Sequence, residues 1–349
     1  MTTGFQAAVF EAMDRRLDPG STAPVAVALS GGGDSLALLH LTLDWAKRHG
    51  RRVLALTVDH GLNPDSARWT AEAGEKARAL GADWRGLAWE APKPSTGLQA
   101  KARAARHALL AEAAREVGSQ AVPFGHTAND VIEGEVMRAD ATRGLGHLRE
   151  WGPSPVWPEG RGIFLVRPLL TVWRADLRML LQGLDAAWLD DPANDNREFA
   201  RARARQMLEE GEQIAVTMVG IAGIEPEISE LARAVSFAPG LACAPRAAFT
   251  EARPDVAAWA LSAALLCISG TTTPPRRDEL DHAMEMLRDG QPFTLAGCQV
   301  KTNRTVLTVG RELGRRDQAA MPEEPSTWVA QRFYAACGLY RNEASIPRA

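Results

Sequence analysis

Between residues 25 and 40 the chain reads VAVALSGGGDSLALLH, and no other stretch limits its possible folds so sharply. A short apolar run ending at Leu29 leads into Ser30-Gly31-Gly32-Gly33-Asp34-Ser35, and a leucine-rich helical pattern follows at once. Consecutive glycines let the backbone approach an anion closely. The N–H groups and positive dipole end of the helix then point at that anion. Ser30 and Ser35 add hydroxyl donors. Strand, glycine turn and helix start together predict a phosphate site. The spacing matches neither G-x-x-x-x-G-K-[ST] nor G-x-G-x-x-G, which excludes an ordinary P-loop, with its phosphate-reaching lysine, and a dinucleotide fingerprint.

Further strand-like runs at 53–58, 84–89 and 121–124 alternate with helical patterns, which predicts parallel strands joined by crossover helices. Ligands on such sheets bind beyond the carboxyl ends of the strands. That rule gathers three segments into one crevice: the Ser30 loop, Val58-Asp59-His60-Gly61, and Gly125-His126-Thr127-Ala128-Asn129-Asp130. A helix beginning near His126 would carry His126, Asp130 and Glu133 along one face, where they could organise an acid/base pair or a metal. Acidic residues in a first turn also serve the helix dipole alone. His60 fits a turn residue equally well and is given no catalytic role. Two basic clusters stand out, Lys101-Arg103-Arg106-His107 and Arg197-Arg201-Arg203-Arg205. Helical spacing puts Arg197, Arg201 and Arg205 on one face, either solvated or turned toward RNA.

The 349 residues, 46% of them hydrophobic, suffice for two domains. A net charge of −3 gives no global signature for nucleic acid, so RNA contact must come from local clusters. The longest mostly apolar run, 256–268, is too short for a membrane span. The N-terminal pattern Phe5, Val9, Met13, Leu17 carries Glu11 and Asp14, unlike a signal peptide. A cytoplasmic protein is expected. Cys243, Cys267, Cys298 and Cys337 form no C-x-x-C pair, which argues against disulfides, a zinc knuckle or a local iron–sulfur site and predicts buried free thiols.

Ser30 to Ser35 resembles the pyrophosphate-binding SGGxDS loop of the N-type ATP pyrophosphatases, the PP-loop family. Other segments are similar, in order, to the tRNA(Ile)-lysidine synthases: Val58-Asp59-His60-Gly61-Leu62 with Ser66, Leu98 to His107, and Gly125 to Glu133. Arg167-Pro168-Leu169-Leu170 with Arg174, Trp188 with Asp191-Pro192-Ala193-Asn194, and Phe199 to Arg205 complete the series. The likeness covers roughly residues 20–205. It implies an α/β fold with a Rossmann-like parallel sheet of the PP-loop type over 1–205, a mainly helical, tRNA-contacting domain over 206–288, and a short strand-containing segment over 289–349.

The activity implied is ATP-dependent ligation of L-lysine to C2 of the wobble cytidine of an isoleucine tRNA with a CAU anticodon. It proceeds through an adenylated cytidine and releases AMP and pyrophosphate. Carried over by position, Ser30, Gly31, Gly32, Gly33, Asp34 and Ser35 would cradle the pyrophosphate end of ATP, with Asp34 also a partner for Mg²⁺. Arg106 would meet the nucleotide phosphates, His126 and Asp130 would lie near cytidine and lysine, and Arg201, Arg203 and Arg205 would face the tRNA. Departures are Asn129 where the family often has aspartate, Val131 for glutamine, Gly134 for threonine, Arg138-Ala139-Asp140-Ala141 for arginine-glycine-serine-glycine, and Ala193 and Asn196 for serine and aspartate. Three other readings stand beside this one: a PP-loop tRNA thiolase, which would want paired cysteines near the site; a small-metabolite amide ligase or amidotransferase, which would need no RNA; and a catalytically inactive RNA-binding relative.

Overall fold

The structure, a computed structural model, describes residues 4–18, 20–139, 150–156, 159, 160, 162–189, 225–271, 274–312, 329, 330, 333, 334, 336 and 337. The chain divides into two compact units, Met1–Thr217 and Met218–Ala349.

The first unit runs α1 (Gly4–Arg16), β1 (Val25–Ala28), α2 (Gly33–Arg48), β2 (Val53–Asp59), α3 (Ser66–Ala79), β3 (Asp83–Ala88), α4 (Leu98–Glu116), β4 (Ala121–Pro123), α5 (Ala128–Ala139), β5 (Trp151–Pro153), β6 (Phe164–Val166) and α6 (Arg174–Gly183). Strands β1, β2 and β3 pair in parallel, with Val25 opposite Val53 and Leu54 opposite Asp83. Val25–Val27 and Val53–Leu56 are buried without interruption, as expected of a parallel strand covered on both faces by helices. Parallel β4 and β6 and antiparallel β5 form a second ladder. Its strand β4 lies beside β1. Ser119, just before β4, accepts a hydrogen bond from the Ala26 amide, and Gly125, just after it, reaches Asp34, so β1 and β4 run the same way. From β1 the chain steps outward to β3, and α4 brings it back to the other flank of β1. The point of reversal, between β1 and β4, is where a doubly wound sheet opens a crevice for ligand. Beneath it, Leu110, Ala111 and Ala114 of α4 pack on Leu56, Val122, Phe124 and Leu165.

In the second unit, strands β7 (Ser236–Ala238), β8 (Leu241–Pro245), β9 (Phe293–Leu295), β10 (Cys298–Thr302) and β11 (Val306–Arg311) form an antiparallel sheet of order β7-β8-β11-β10-β9. Alternate residues Ala242, Ala244, Cys298, Val300, Leu307 and Val309 share a core with Ala260, Leu261, Ala264 and Leu265 of the helix Pro254–Ser269.

Several expectations change. The proline- and tryptophan-rich stretch from 151 to 158, whose sequence reads as a surface loop, opens with strand β5, and β6, within the apolar run 163–166, adds a strand to those expected. Helices do not fill the second unit up to 288: β7 and β8 precede its long helices, and β10 lies between the strand-like runs 293–295 and 306–309, where the sequence reads as a polar connection. Strand β8 reads poorly because Pro, Gly and Ala dominate 238–245, yet β11 gives it a partner and a core, and β7 pairs with β8 in turn. A boundary at 288 therefore separates strands that lie in one sheet. Of the thiols, Cys267, Cys298 and Cys337 are buried outside any disulfide as expected, whereas Cys243, also outside a disulfide, is half-buried.

Candidate active site

The Ser30–Ser35 turn leaves β1 and enters α2 with Gly31 at φ +87, a conformation that side chains resist. A Cβ at Gly31 would touch Ala73 and Leu189 at 3.6 and 3.9 Å, and the Leu189 amide donates to the Gly31 carbonyl (3.1 Å). The strap after α6 thus lies against the loop. Ser35 closes the turn: its hydroxyl donates to the Gly32 carbonyl (2.9 Å) and accepts the Ser30 amide (3.1 Å), with the Ser30 hydroxyl 3.0 Å away. Either hydroxyl can donate in the contact between them, so both serines brace the loop from within. The backbone at the start of α2, where Asp34 occupies the first turn, adds N–H donors for an anion. Gly125 after β4 completes the approach; a Cβ there would lie 3.2 Å from the backbone of Asp34 and Ser35.

Asp34 faces Arg174, the first residue of α6. Arg174 Nε donates to Asp34 Oδ2 (2.9 Å), one terminal nitrogen reaches Glu133 Oε1 (3.3 Å), and the other lies 3.5 Å from Asp130 Oδ2. Three carboxylates from two helices thus converge on one guanidinium. Burial alone would depress its pKa, but Asp34, Asp130 and Glu133 together raise it above the usual arginine value. Asp130 also caps α5, because its Oδ2 accepts both the amide (2.8 Å) and the hydroxyl (2.7 Å) of Thr127. Helix α5 accordingly starts at Ala128. His126 stays in the connection before it, and the expected common face holds Asp130 and Glu133 without His126.

The opposite wall comes from α4 and β4. His107, Phe124 and His126 form a stack, with centroids 5.3 and 5.9 Å apart. His107 is buried, and neither ring nitrogen has a hydrogen-bond partner among the described residues. Burial first, then Arg103, Arg106, Arg167 and His126, push its pKa down to about 2. Burial and Arg103 lower Arg167 to about 10. His60, at the end of β2, is lowered chiefly by burial and then by Arg106.

Loop, acidic cluster and basic wall surround one cavity of about 1540 Å³, lined among others by Ser30, Gly32, Gly33, Asp34, Ser35, His60, Arg106, His126, Asp130, Arg174 and Arg178. This exceeds the roughly 300–1,000 Å³ of ordinary small-molecule pockets. The structure brings together Asp34, Arg106, His126, Asp130 and the loop residues. Arg201, Arg203 and Arg205 lie outside the described residues, as do 140, 141, 193 and 196. No role attaches to Arg174 or Arg178 in the sequence pattern, and Glu133 stands there only as a helix-face neighbour of Asp130. Arg174 and Arg178 sit one turn apart on α6, and that i, i+4 spacing was the available signal. Arg178 lies over Trp188 (4.7 Å) and 3.1 Å from where a Gly33 Cβ would be. Among the described residues no cluster of three or more His, Cys, Asp or Glu could hold a metal. Asp34 Oδ1, however, is buried without a hydrogen-bond partner there. One free carboxylate oxygen fits Mg²⁺, which is commonly held by one or two carboxylates together with substrate phosphates.

Fold and site define a PP-loop domain, a family that matches residues 5–211 of this chain. The tRNA(Ile)-lysidine synthase of Caulobacter vibrioides is 50% identical over 298 residues, covering 85% of this chain and 69% of its own. That of Hyphomonas neptunium is 36% identical over 323 residues, 89% and 86%. The chain belongs to the tRNA(Ile)-lysidine synthase family. Among solved structures, a U34-tRNA thiolase of Methanococcus maripaludis matches 59% of this chain and 71% of its own with TM-score 0.49 and 16% identity. No helix among the described residues is long and apolar enough to cross a membrane.

Proposed function

We propose that this protein ligates L-lysine to C2 of the wobble cytidine of an isoleucine tRNA bearing CAU, converting ATP to AMP and pyrophosphate. The observation that carries this reading is a single cavity in which a pyrophosphate-type loop, an acidic cluster and a basic wall meet at the β1/β4 crevice. The similarity to named synthases over most of the chain supports it.

Cytosine C2 is a poor electrophile. Transfer of the adenylyl group to its oxygen, with pyrophosphate leaving, turns that oxygen into a leaving group; the lysine ε-amine then adds at C2 and AMP departs. The turn at Ser30–Ser35 receives the pyrophosphate end through backbone N–H groups, and Arg106 lies on the cavity wall to meet phosphate charge. Asp34 would hold Mg²⁺ through Oδ1; when bound, the ion neutralises phosphate charge. Asp34 and Asp130 line this side of the cavity and offer carboxylate oxygens to the lysine ammonium group. His126, stacked on Phe124, is a neighbour for the flipped base. Holding amine and activated base together contributes about 7–11 kcal/mol toward the barrier. The four cysteines all lie beyond residue 242, away from this site in sequence, and Cys298 is pushed by burial up to about 12, which disfavours the thiolase reading.

The test is pyrophosphate release from ATP in the presence of unmodified isoleucine CAU tRNA, with and without L-lysine, for the parent chain and D34A. Lysine-stimulated release in the parent and none in D34A is expected. Turnover without tRNA, or equal turnover in D34A, contradicts the assignment, and tRNA binding without release would favour the inactive-relative reading.

A further inference from the structure

Asn129 stands where the family often carries an aspartate, which suggests a weakened metal site. The structure gives the position a different role. Asn129 Oδ1 accepts the backbone amide of Arg174 at 2.9 Å, the first helical N–H of α6. The N-cap residue of that helix, Trp173, has no side-chain cap bond, so Asn129 caps α6 from α5. The bond fixes where Arg174 begins, and Arg174 in turn grips Asp34 Oδ2.

We infer that Arg174 is the positioning residue of this site and that Asn129 aims it. Its guanidinium holds Asp34 by one oxygen, leaves Oδ1 for a cation accompanying the nucleotide, and compensates the charges of Asp130 and the buried Glu133. A planar fork is needed for this, because Nε and both terminal nitrogens engage three carboxylates on different sides. Lysine can satisfy only part of that set. Aspartate at 129 offers the same acceptor as asparagine, with a charge that the N-terminus of α6 favours. Both residue types therefore suit position 129 without either binding metal. The inference rests on the proposed ATP-dependent reaction, since the cation it concerns arrives with the nucleotide.

The experiment measures ATP affinity by calorimetry, without tRNA or lysine, in excess Mg²⁺ and in EDTA, for the parent, N129A, N129D and R174K, each checked for folding by thermal melting. N129A is expected to lose about 3- to 10-fold of the Mg²⁺-dependent gain in affinity, the size of one lost hydrogen bond. R174K should lose more, N129D should restore the gain, and affinity in EDTA should change little in all variants. A Mg²⁺-dependent gain unaltered in N129A, or equally reduced in N129D and N129A, overturns the inference, as does the same loss of affinity in EDTA as in Mg²⁺. If R174K fails to fold, the two Asn129 variants decide. Should lysine ligation prove absent while the Mg²⁺ pattern holds, the functional reading falls and the role of Arg174 stands.

Discussion

Replacing His107 by leucine should make the protein more stable, and increasingly so as the pH falls. The imidazole is buried between α4 and Phe124, and neither nitrogen has a hydrogen-bond partner among the described residues. Leaving a buried polar group unpaired costs about 1–3 kcal/mol, and losing the stack on Phe124 returns roughly 0.5–1.5 kcal/mol of that on substitution. A net gain of about 0.5–1.5 kcal/mol near pH 7.5 follows, equivalent to roughly 1–6 °C in Tm for a unit of this size.

The pH dependence has a definite sign. Burial, then Arg103, Arg106, Arg167 and His126, keep the folded ring neutral down to about 2, whereas the unfolded ring binds a proton near 6.5. Below that value the unfolded state carries the extra proton, so stability falls as the pH drops. The loss from this one group amounts to about 1.5–2 kcal/mol between pH 6.5 and 5. His40 and His60 are also lowered, chiefly by burial, and contribute acid sensitivity that parent and variant share. Urea unfolding followed by tryptophan fluorescence at about pH 7.5, 6.0 and 5.0 isolates the His107 share as the growing gap between parent and H107L. A variant no more stable than the parent, with a gap that does not widen on acidification, would refute the reasoning.

Three further substitutions bear on the fold and the site. G74A places a methyl group 2.6–2.9 Å from the Trp84 ring, which is tied to Thr57 by its indole N–H. Overpacking of about 1–3 kcal/mol outweighs the roughly 1 kcal/mol gain in helix propensity, so a lower denaturation midpoint is expected. S35A removes the Ser30 and Gly32 contacts that close the loop. Nucleotide affinity should fall about tenfold, since 1.4 kcal/mol is the scale of one such loss, and unchanged affinity would show that the turn holds without them. D130N keeps an oxygen acceptor for the Thr127 amide but removes the charge beside Arg174, so turnover should fall far more than Tm. D130A should lose about 0.5–2 kcal/mol of stability as well, and equal Tm values for the two variants would deny the capping role.

The glycine run and its flanking apolar strand made the phosphate loop legible, because both features are local and backbone chemistry leaves few alternatives. The β1/β4 crevice was legible for a similar reason: strand ends carrying Ser30, His60 and Gly125 gather wherever parallel strands are stacked. What escaped the sequence was long-range. Arg174 lies 140 positions from Asp34, and only the packing of α6 beside α2 brings them together. Ser35 reads as a hydroxyl donor, and the contacts that also make it a brace of the turn, to Gly32 and Ser30, are not visible in spacing. His126 looked helical because its spacing to Asp130 fits, yet the Thr127 cap starts the helix two residues later. In the second unit, β8 is built from residues of weak strand preference and its partner β11 lies some 60 positions downstream, while β7 joins the sheet only through β8.

The most direct test of the central claim is incorporation of labelled L-lysine into tRNA by the unaltered chain with ATP and Mg²⁺. An isoleucine tRNA bearing CAU is compared with a methionine tRNA of the same anticodon. Label stably attached to the wobble cytidine of the isoleucine tRNA, and absent from the other, is the predicted result. Absence of label from both, although ATP binds at the loop, would contradict it.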